Sequence, residues 1–187
     1  MIRLLFCLPI FLGSCQSETF LDDSVLSSAE EAFNRGDYAL AEPLFTQIIG
    51  ETAATSGVEK RRASAFYHLG EIYRLQGKIE KAEPLFWKAL PLWAKSVGPT
   101  HSVMAKGLTS LGHIYEARQQ FQKAAPLVKQ ALKVRESAYG RDHPNVTPSL
   151  EQYARILTRM NRQDEAMNLL ARKKAILGKA LLPNQVP

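Results

Sequence analysis

Cysteine is nearly absent from this chain, and long apolar runs are missing altogether. Only Cys7 and Cys15 occur in 187 residues, so neither a disulfide framework nor a zinc site built on cysteine pairs can hold the fold. The apolar run from Leu4 to Leu12 falls far short of the roughly 20 residues that cross a bilayer as a helix. No phosphate-binding glycine loop, G-x-S-x-G elbow or H-E-x-x-H pair is present, which removes the commonest sequence-readable catalytic constellations. Stability therefore has to come from packing, and activity from a surface.

What is present is ordinary in bulk and uneven in detail. Hydrophobic residues make up 45% and charged residues 22%, values of a folded globular chain rather than a disordered one or a membrane bundle. The formal net charge is +6 with a pI near 9.4, but the excess is local. Between Arg155 and Lys179 seven basic residues (Arg155, Arg159, Arg162, Arg172, Lys173, Lys174, Lys179) stand against Asp164 and Glu165. Such a stretch is a solvated helix face, or it attracts anionic headgroups or an acidic partner; a nucleic acid is not the expected partner of an exported chain.

Export is read from the start. "MIRLLFCLPIFLGSC" has a charged beginning, a short apolar core and small residues before Cys15, the pattern of a secretion signal. A plain signal cut near Ser17, or a cytosolic chain with a chance apolar start, are the alternatives. Leu12-Gly13-Ser14-Cys15 resembles the lipobox of bacterial lipoproteins. That resemblance implies cleavage before Cys15, acylation of its thiol and new amine (a palmitate-type anchor), and, with Gln16 following, sorting to the outer membrane facing the periplasm. One acyl chain holds a protein marginally and two or more hold it stably. Cys7 falls in the removed part, leaving Cys15 alone.

The rest of the chain repeats itself. "AEPLFTQII" (41–49), "AEPLFWKAL" (82–90) and "AAPLVKQAL" (124–132) align on Ala41, Ala82 and Ala124, and "DEAMNLLARKK" puts Ala166 in register. The spacings are 41, 42 and 42 residues. A fixed period in this range marks stacked units that bury their apolar faces only against one another. Within the unit, Phe66-x₂-Leu69-Gly70-x₂-Tyr73 precedes Ala82-x₃-Phe86, and Leu108-x₂-Leu111-Gly112-x₂-Tyr115 precedes Ala124-x₃-Val128. The first and last copies are weaker, as terminal units are.

This pattern resembles the tetratricopeptide repeat, and the 42-residue period with the turns "GPTHS" and "GRDHP" is similar to its kinesin light chain type. The resemblance implies an all-α, right-handed superhelix of about four helical hairpins. Eight helices are expected near 24–35, 38–54, 58–76, 79–97, 102–118, 121–139, 145–160 and 163–179. The domain plan is a signal peptide at 1–14, lipidated Cys15 and tether to 24, the array over 25–180 and a tail at 181–187. Gly70, Gly112, Ala82 and Ala124 let helices approach closely, Gly98 and Gly140 end helices at positive φ, and Pro91, mid-helix, kinks or shortens its helix.

The family's spacing places a concave groove along the first helices of each unit, where a protein or peptide partner binds. Its candidate residues are Ser64, Tyr67, His68, Glu71 and Arg74; then Lys106, Thr109, Ser110, His113 and Glu116; then Glu151, Gln152, Arg155 and Arg159. Groove asparagines needed for the family's carboxylate clamp or kinesin light chain cargo are missing. His68-x-x-Glu71 and His113-x-x-Glu116 each set a His and a Glu on one helical face, read as solvated groove pairs rather than metal ligands. His101 and His143 read as turn or helix-start residues. The aromatic set Tyr67, Phe86, Trp87 and Trp93 reads chiefly as core; Trp87 and Trp93 flank Pro91 and are not both expected to be fully buried, with an exposed contact patch there as the lesser alternative. The function so read is a lipid-anchored adaptor with no cofactor or metal. An assembly factor for a pilus, secretion pore or peptidoglycan machinery is the alternative, and an enzyme is a remote one.

Overall fold

A computed structural model describes residues 23–51 and 57–181. Among these residues eight helices run in order: α1 (Asp23–Asn34), α2 (Tyr38–Ile49), α3 (Val58–Leu75), α4 (Ile79–Val97), α5 (Ser102–Ala117), α6 (Phe121–Tyr139), α7 (Thr147–Arg159) and α8 (Gln163–Leu181), with a 3-10 turn at Pro144–Val146 before α7. They pair as four hairpins that stack in sequence, as the repeat period demands. The signal segment, Cys15, all of the tether before Asp23, and residues 182–187 lie outside the described residues.

One helix boundary is corrected. The second helix ends at Ile49 rather than 54, because Gly50 closes it: the Gly50 N–H donates to the Thr46 carbonyl and Glu51 N–H to that of Ile48. The fourth helix runs over its expected range, Ile79–Val97, with Pro91 inside it on the exposed side.

The turns inside the hairpins repeat as faithfully as the helices. Gly36 (φ 77°), Gly77 (73°), Gln119 (57°) and Asn161 (60°) occupy one left-handed position at intervals of 41, 42 and 42. Between units, Gly98 (φ 94°) and Gly140 (93°) end α4 and α6 in a region that side chains avoid. The following His101 and His143 cap the next helical segment, each accepting through Nδ1 from the backbone N–H two residues on, at 3.4 and 3.1 Å. The helix-start role read for both histidines is the one observed.

No hairpin has an interior of its own. One core joins α1, α2 and α3 through Phe45, Ile48, Leu69 and Ile72. A second joins α3 to α6 around Phe86, Trp93, Leu111 and Ile114, and a third joins α5 to α8 around Val128, Leu150 and Leu157. Phe45, Phe86 and Val128, which share one repeat position, are each 0% exposed. Burying such a side chain stabilises by about 1.5–3 kcal/mol, against ~0–1 for an exposed ion pair, so these seams decide the fold. The close approach inside units is visible at the glycines: a Cβ on Gly70 would lie 2.9 Å from the Phe86 ring, and one on Gly112 would push on Val128 Cγ2.

Candidate protein-binding groove

The first helices of successive units touch one another directly, α1 with α3 and α3 with α5, whereas no comparable contact joins α2 to α4 or α4 to α6 among the described residues. Helices that meet on one side of a stack and part on the other curve it, and the side where they meet is concave. The inner face is thus made by α1, α3, α5 and α7.

Polar side chains link these helices across it. His68 Nε2 lies 3.5 Å from Glu30, and Ser110 Oγ donates to Glu71 at 2.6 Å. Glu30 and Glu71 are equivalent positions, as are His68 and Ser110, so this is the same rung built twice. Arg155 donates to Glu116 on the next pair of helices, its Nη2 at 3.0 Å, and Gln152 Nε2 donates to the Thr109 carbonyl at 3.3 Å. On α8, Lys173 meets Glu151 at 2.7 Å.

Glu71 and Ser110, Thr109 and Gln152, and Glu116 and Arg155 of the sequence-predicted set are thus brought together in pairs, and much of the set is already engaged. Glu71 is buried, held by Arg74 at 2.7 Å as well as by Ser110. The pairing of His68 with Glu71 does not form. His68 instead reaches back to Glu30, and its ring stacks on Phe45 and meets Phe33 edge-on, which makes it a seam residue rather than a solvated one. His113 does face Glu116, at 3.8 Å; burial, followed by the nearby Arg74, holds its imidazole below the ordinary range. Burial and then the Glu71 charge push the Tyr67 hydroxyl up to about 12. The Tyr67 ring packs on Trp93 and Phe86.

Lys106 stands exposed in the middle of the face, with Thr109 and His113 half-exposed on the same helix. Arg159 lies off to the end, over the Phe121 ring at 5.3 Å, beside a recess of about 330 Å³ shared with Glu116, Gln119 and Arg155. Ser64 is half-buried. The aromatic pair divides as the sequence allowed: Trp93 is core at 3% exposure, and Trp87 is 45% exposed on the outer side of α4. No three His, Cys, Asp or Glu side chains gather as metal ligands among the described residues.

Two inner-face residues escaped sequence reasoning. Glu30 lies in the weak first copy, where no motif flagged it. Arg135 comes from α6, a second helix, yet its guanidinium donates to Thr109 Oγ1 at 3.0 Å and to Ser149. Burial pushes its pKa down. The signal was in the register: Arg135 sits one period after Trp93, and Thr109 one period after Tyr67, so a polar pair replaces an aromatic one.

Comparison with known proteins agrees with this geometry. The tetratricopeptide repeat model matches residues 61–137 and 103–172, together more than half of the chain, and the chain belongs to that family, one of protein-interaction scaffolds. Solved structures with similar repeats share its fold. BtubC (BKLC) from P. vanneervenii superposes with a TM-score of 0.74 at 19% identity, over 87% of this chain and 65% of that one. A Podosopora anserina chain with kinesin light chain, nearly identical TPR-like repeats gives 0.68 at 23%, over 86% and 79%. In sequence, the transcription factor tau 131 kDa subunit of Saccharomyces cerevisiae is 40% identical over 70 residues, which is 36% of this chain but 6% of that protein. The structural likenesses carry the fold, and the general role of protein binding comes with the tetratricopeptide family.

Proposed function

We propose that the chain is a lipid-anchored adaptor that grips a protein or peptide partner in its concave groove at the periplasmic face of the outer membrane. The observation that carries the groove reading is the convergence of three successive first helices on one face, with Lys106, Thr109 and His113 accessible at its centre. The rungs on either side fix the curvature, so a bound segment meets a preformed surface and loses little to ordering the receptor. Anchoring rests on Leu12-Gly13-Ser14-Cys15 alone. With only residues 16 to 22 between Cys15 and α1, at ~3.3–3.6 Å each at most, the array would sit close to the bilayer.

Two variants test the parts separately. Cys15→Ala should move the protein from the membrane to the soluble fraction and remove acyl mass from its N-terminus; retention on the membrane defeats the anchor. Lys106→Glu with His113→Ala should weaken capture of a cross-linked partner about tenfold or more, as truncating central contacts does, without lowering the melting temperature. Undiminished capture defeats the groove.

A further inference from the structure

Among the described residues nothing covers the face of the last helix that every earlier second helix has covered. In register with the fully buried Phe45, Phe86 and Val128, Leu170 is 44% exposed, and Met167 and Leu177 beside it are 58% and 38% exposed. Met167, Leu170, Lys174 and Leu177 follow one another at three, four and three residues along α8, the spacing by which one helix seats another. Gly178 lies on the flank of this stripe, and a Cβ built there meets nothing within 4 Å, so a second backbone has room to approach.

The opposite end of the stack does not offer the complementary surface. The residues of α3 that cover α2 are Ala65, Leu69 and Ile72; one period earlier α1 carries Ser24, Ser28 and Glu31, all exposed. A polar start of this kind ends an array and does not fill an apolar face. Head-to-tail stacking of copies would set Ser28 and Glu31 against leucines.

Charge then decides between a second copy and a different protein. Arg172, Lys173 and Lys179 each hold an acid of the chain itself: Glu136 at 2.5 Å, Glu151 at 2.7 Å and Asp142 at 3.6 Å. Lys174, in the middle of the stripe, has no acid within 4.0 Å among the described residues. Two copies joined through α8 would bring two such lysines into one apolar seam with no anion. A partner with a carboxylate at that layer neutralises the charge and keeps the aliphatic contacts.

We infer that the outer face of α8 seats an amphipathic helix of another protein, bearing aliphatic residues at heptad spacing and a Glu or Asp opposite Lys174. The internal seams describe its shape: a small residue, then large apolar ones four and seven positions later, as in Ala65/Leu69/Ile72 and Gly107/Leu111/Ile114. This surface is separate from the concave groove and does not depend on it.

The test uses the purified chain and two synthetic three-heptad helices with leucine core positions, identical except for Glu or Lys in the central core layer, with binding read by fluorescence anisotropy. The Glu peptide should bind at least about tenfold tighter, since like charges across an interface cost several kcal/mol. Lys174→Glu should invert the preference, and Leu170→Asp should abolish binding of both without changing the helical content or melting temperature of the array. Absence of binding by either peptide, or a preference that survives Lys174→Glu, overturns the inference. So does sedimentation of the chain as a dimer that Leu170→Asp dissolves, which would make a second copy the occupant.

Discussion

The first two seams of the stack and the last one solve the same packing problem with opposite chemistry. Between units one and two, the Tyr73 hydroxyl donates to Glu42 at 2.8 Å. Between units two and three, Tyr115 donates to Glu83 at 2.6 Å, and Arg118 also holds Glu83. One period on, the tyrosine has become Leu157 and the glutamate Ala125, 1% and 8% exposed in one apolar cluster. Both partners changed together. Either half alone would leave a hydroxyl or carboxylate unmatched, at ~1–3 kcal/mol where the site is fully buried and less where water reaches it, whereas the matched polar pair and the matched apolar pair are each self-sufficient. A seam in this array is therefore a two-residue unit, not two independent positions.

The most disruptive way to break that symmetry is to restore half a latch. Leu157→Tyr places a hydroxyl without an acceptor and extra volume into the third core, so unfolding should become easier by about 2–4 kcal/mol. Adding Ala125→Glu should return half or more of the loss in the same urea titration. A double variant no better than the single one would mean the seams are not interchangeable.

The sequence exposed the periodic parts of this molecule and hid the parts that depart from the period. Ala41, Ala82, Ala124 and Ala166 set four units in register, and the tetratricopeptide positions Gly70, Tyr73, Phe86 and Gly112 fixed which helices approach, because packing of that closeness tolerates few residue types. The inner face was legible as a set of positions but not as a set of bonds. Whether His68 pairs with Glu71 on its own helix or with Glu30 on the previous unit depends on rotamers and on the Phe33 and Phe45 rings around it. Helix periodicity carries no record of that choice. Arg135 was unreadable for a similar reason: it reaches the inner face from a second helix, where the repeat pattern assigns only packing. The basic C-terminal stretch looked like a free positive surface, yet Arg155, Arg162, Arg172, Lys173 and Lys179 all meet acids, three of them between helices and Lys179 at the loop residue Asp142.

The contrast between units two and three sharpens at their glycines. An alanine at 112 would push on Val128 Cγ2 and on Gln152 Nε2 at 3.0 Å, the latter itself bonded to the Thr109 carbonyl; the three atoms nearest an alanine Cβ at 70 all belong to the Phe86 ring, at 2.9 Å and beyond. Overpacking costs about 1–3 kcal/mol, and the better helix propensity of Ala offsets about 1 of it. Gly112→Ala should thus lower stability by about 1–2 kcal/mol and Gly70→Ala by less. Equal losses, read from denaturant midpoints, would show that the stack relaxes evenly.

Smaller still is the loss of the charged latch. Burial by itself would raise the Glu83 carboxyl, but hydrogen bonds from Tyr115 and Arg118 together hold it below the usual carboxylate range. Because the folded value is the lower one, the stabilisation is complete above the unfolded carboxylate pKa and is lost as pH falls through the folded value. Glu83→Ala should cost about 1 kcal/mol at neutral pH, discounted for its partial exposure, and the gap from the parent should close in acid. The apolar seam at Ala125 and Leu157 supplies no such dependence, so Leu157→Ala should lose the same stability at both pH values.

The turns offer the mildest and most specific comparison, because four equivalent residues adopt one backbone conformation with different side chains. Gly36 and Gly77 enter the left-handed region freely; Gln119 at φ 57° and Asn161 at φ 60° do so with a Cβ. That conformation costs an ordinary residue about 1–2 kcal/mol, and Asn less, since its short amide is at home there. Gln119 is exposed and its backbone N–H already donates to the Glu116 carbonyl at 2.9 Å, so replacing the side chain disturbs no packing and no hydrogen bond of the turn. Gln119→Gly relieves the steric penalty and incurs part of it back as unfolded-state freedom, about 0.5–1 kcal/mol, for a net gain of roughly 0.5. Asn161→Gly should gain nothing measurable. If the two substitutions shift the melting temperature equally, side-chain tolerance of the left-handed turn is not what separates the later units from the earlier ones. If only Gln119→Gly raises it, the strain is local to the third hairpin, between the two first helices that present Lys106, His113 and Arg155 to the groove.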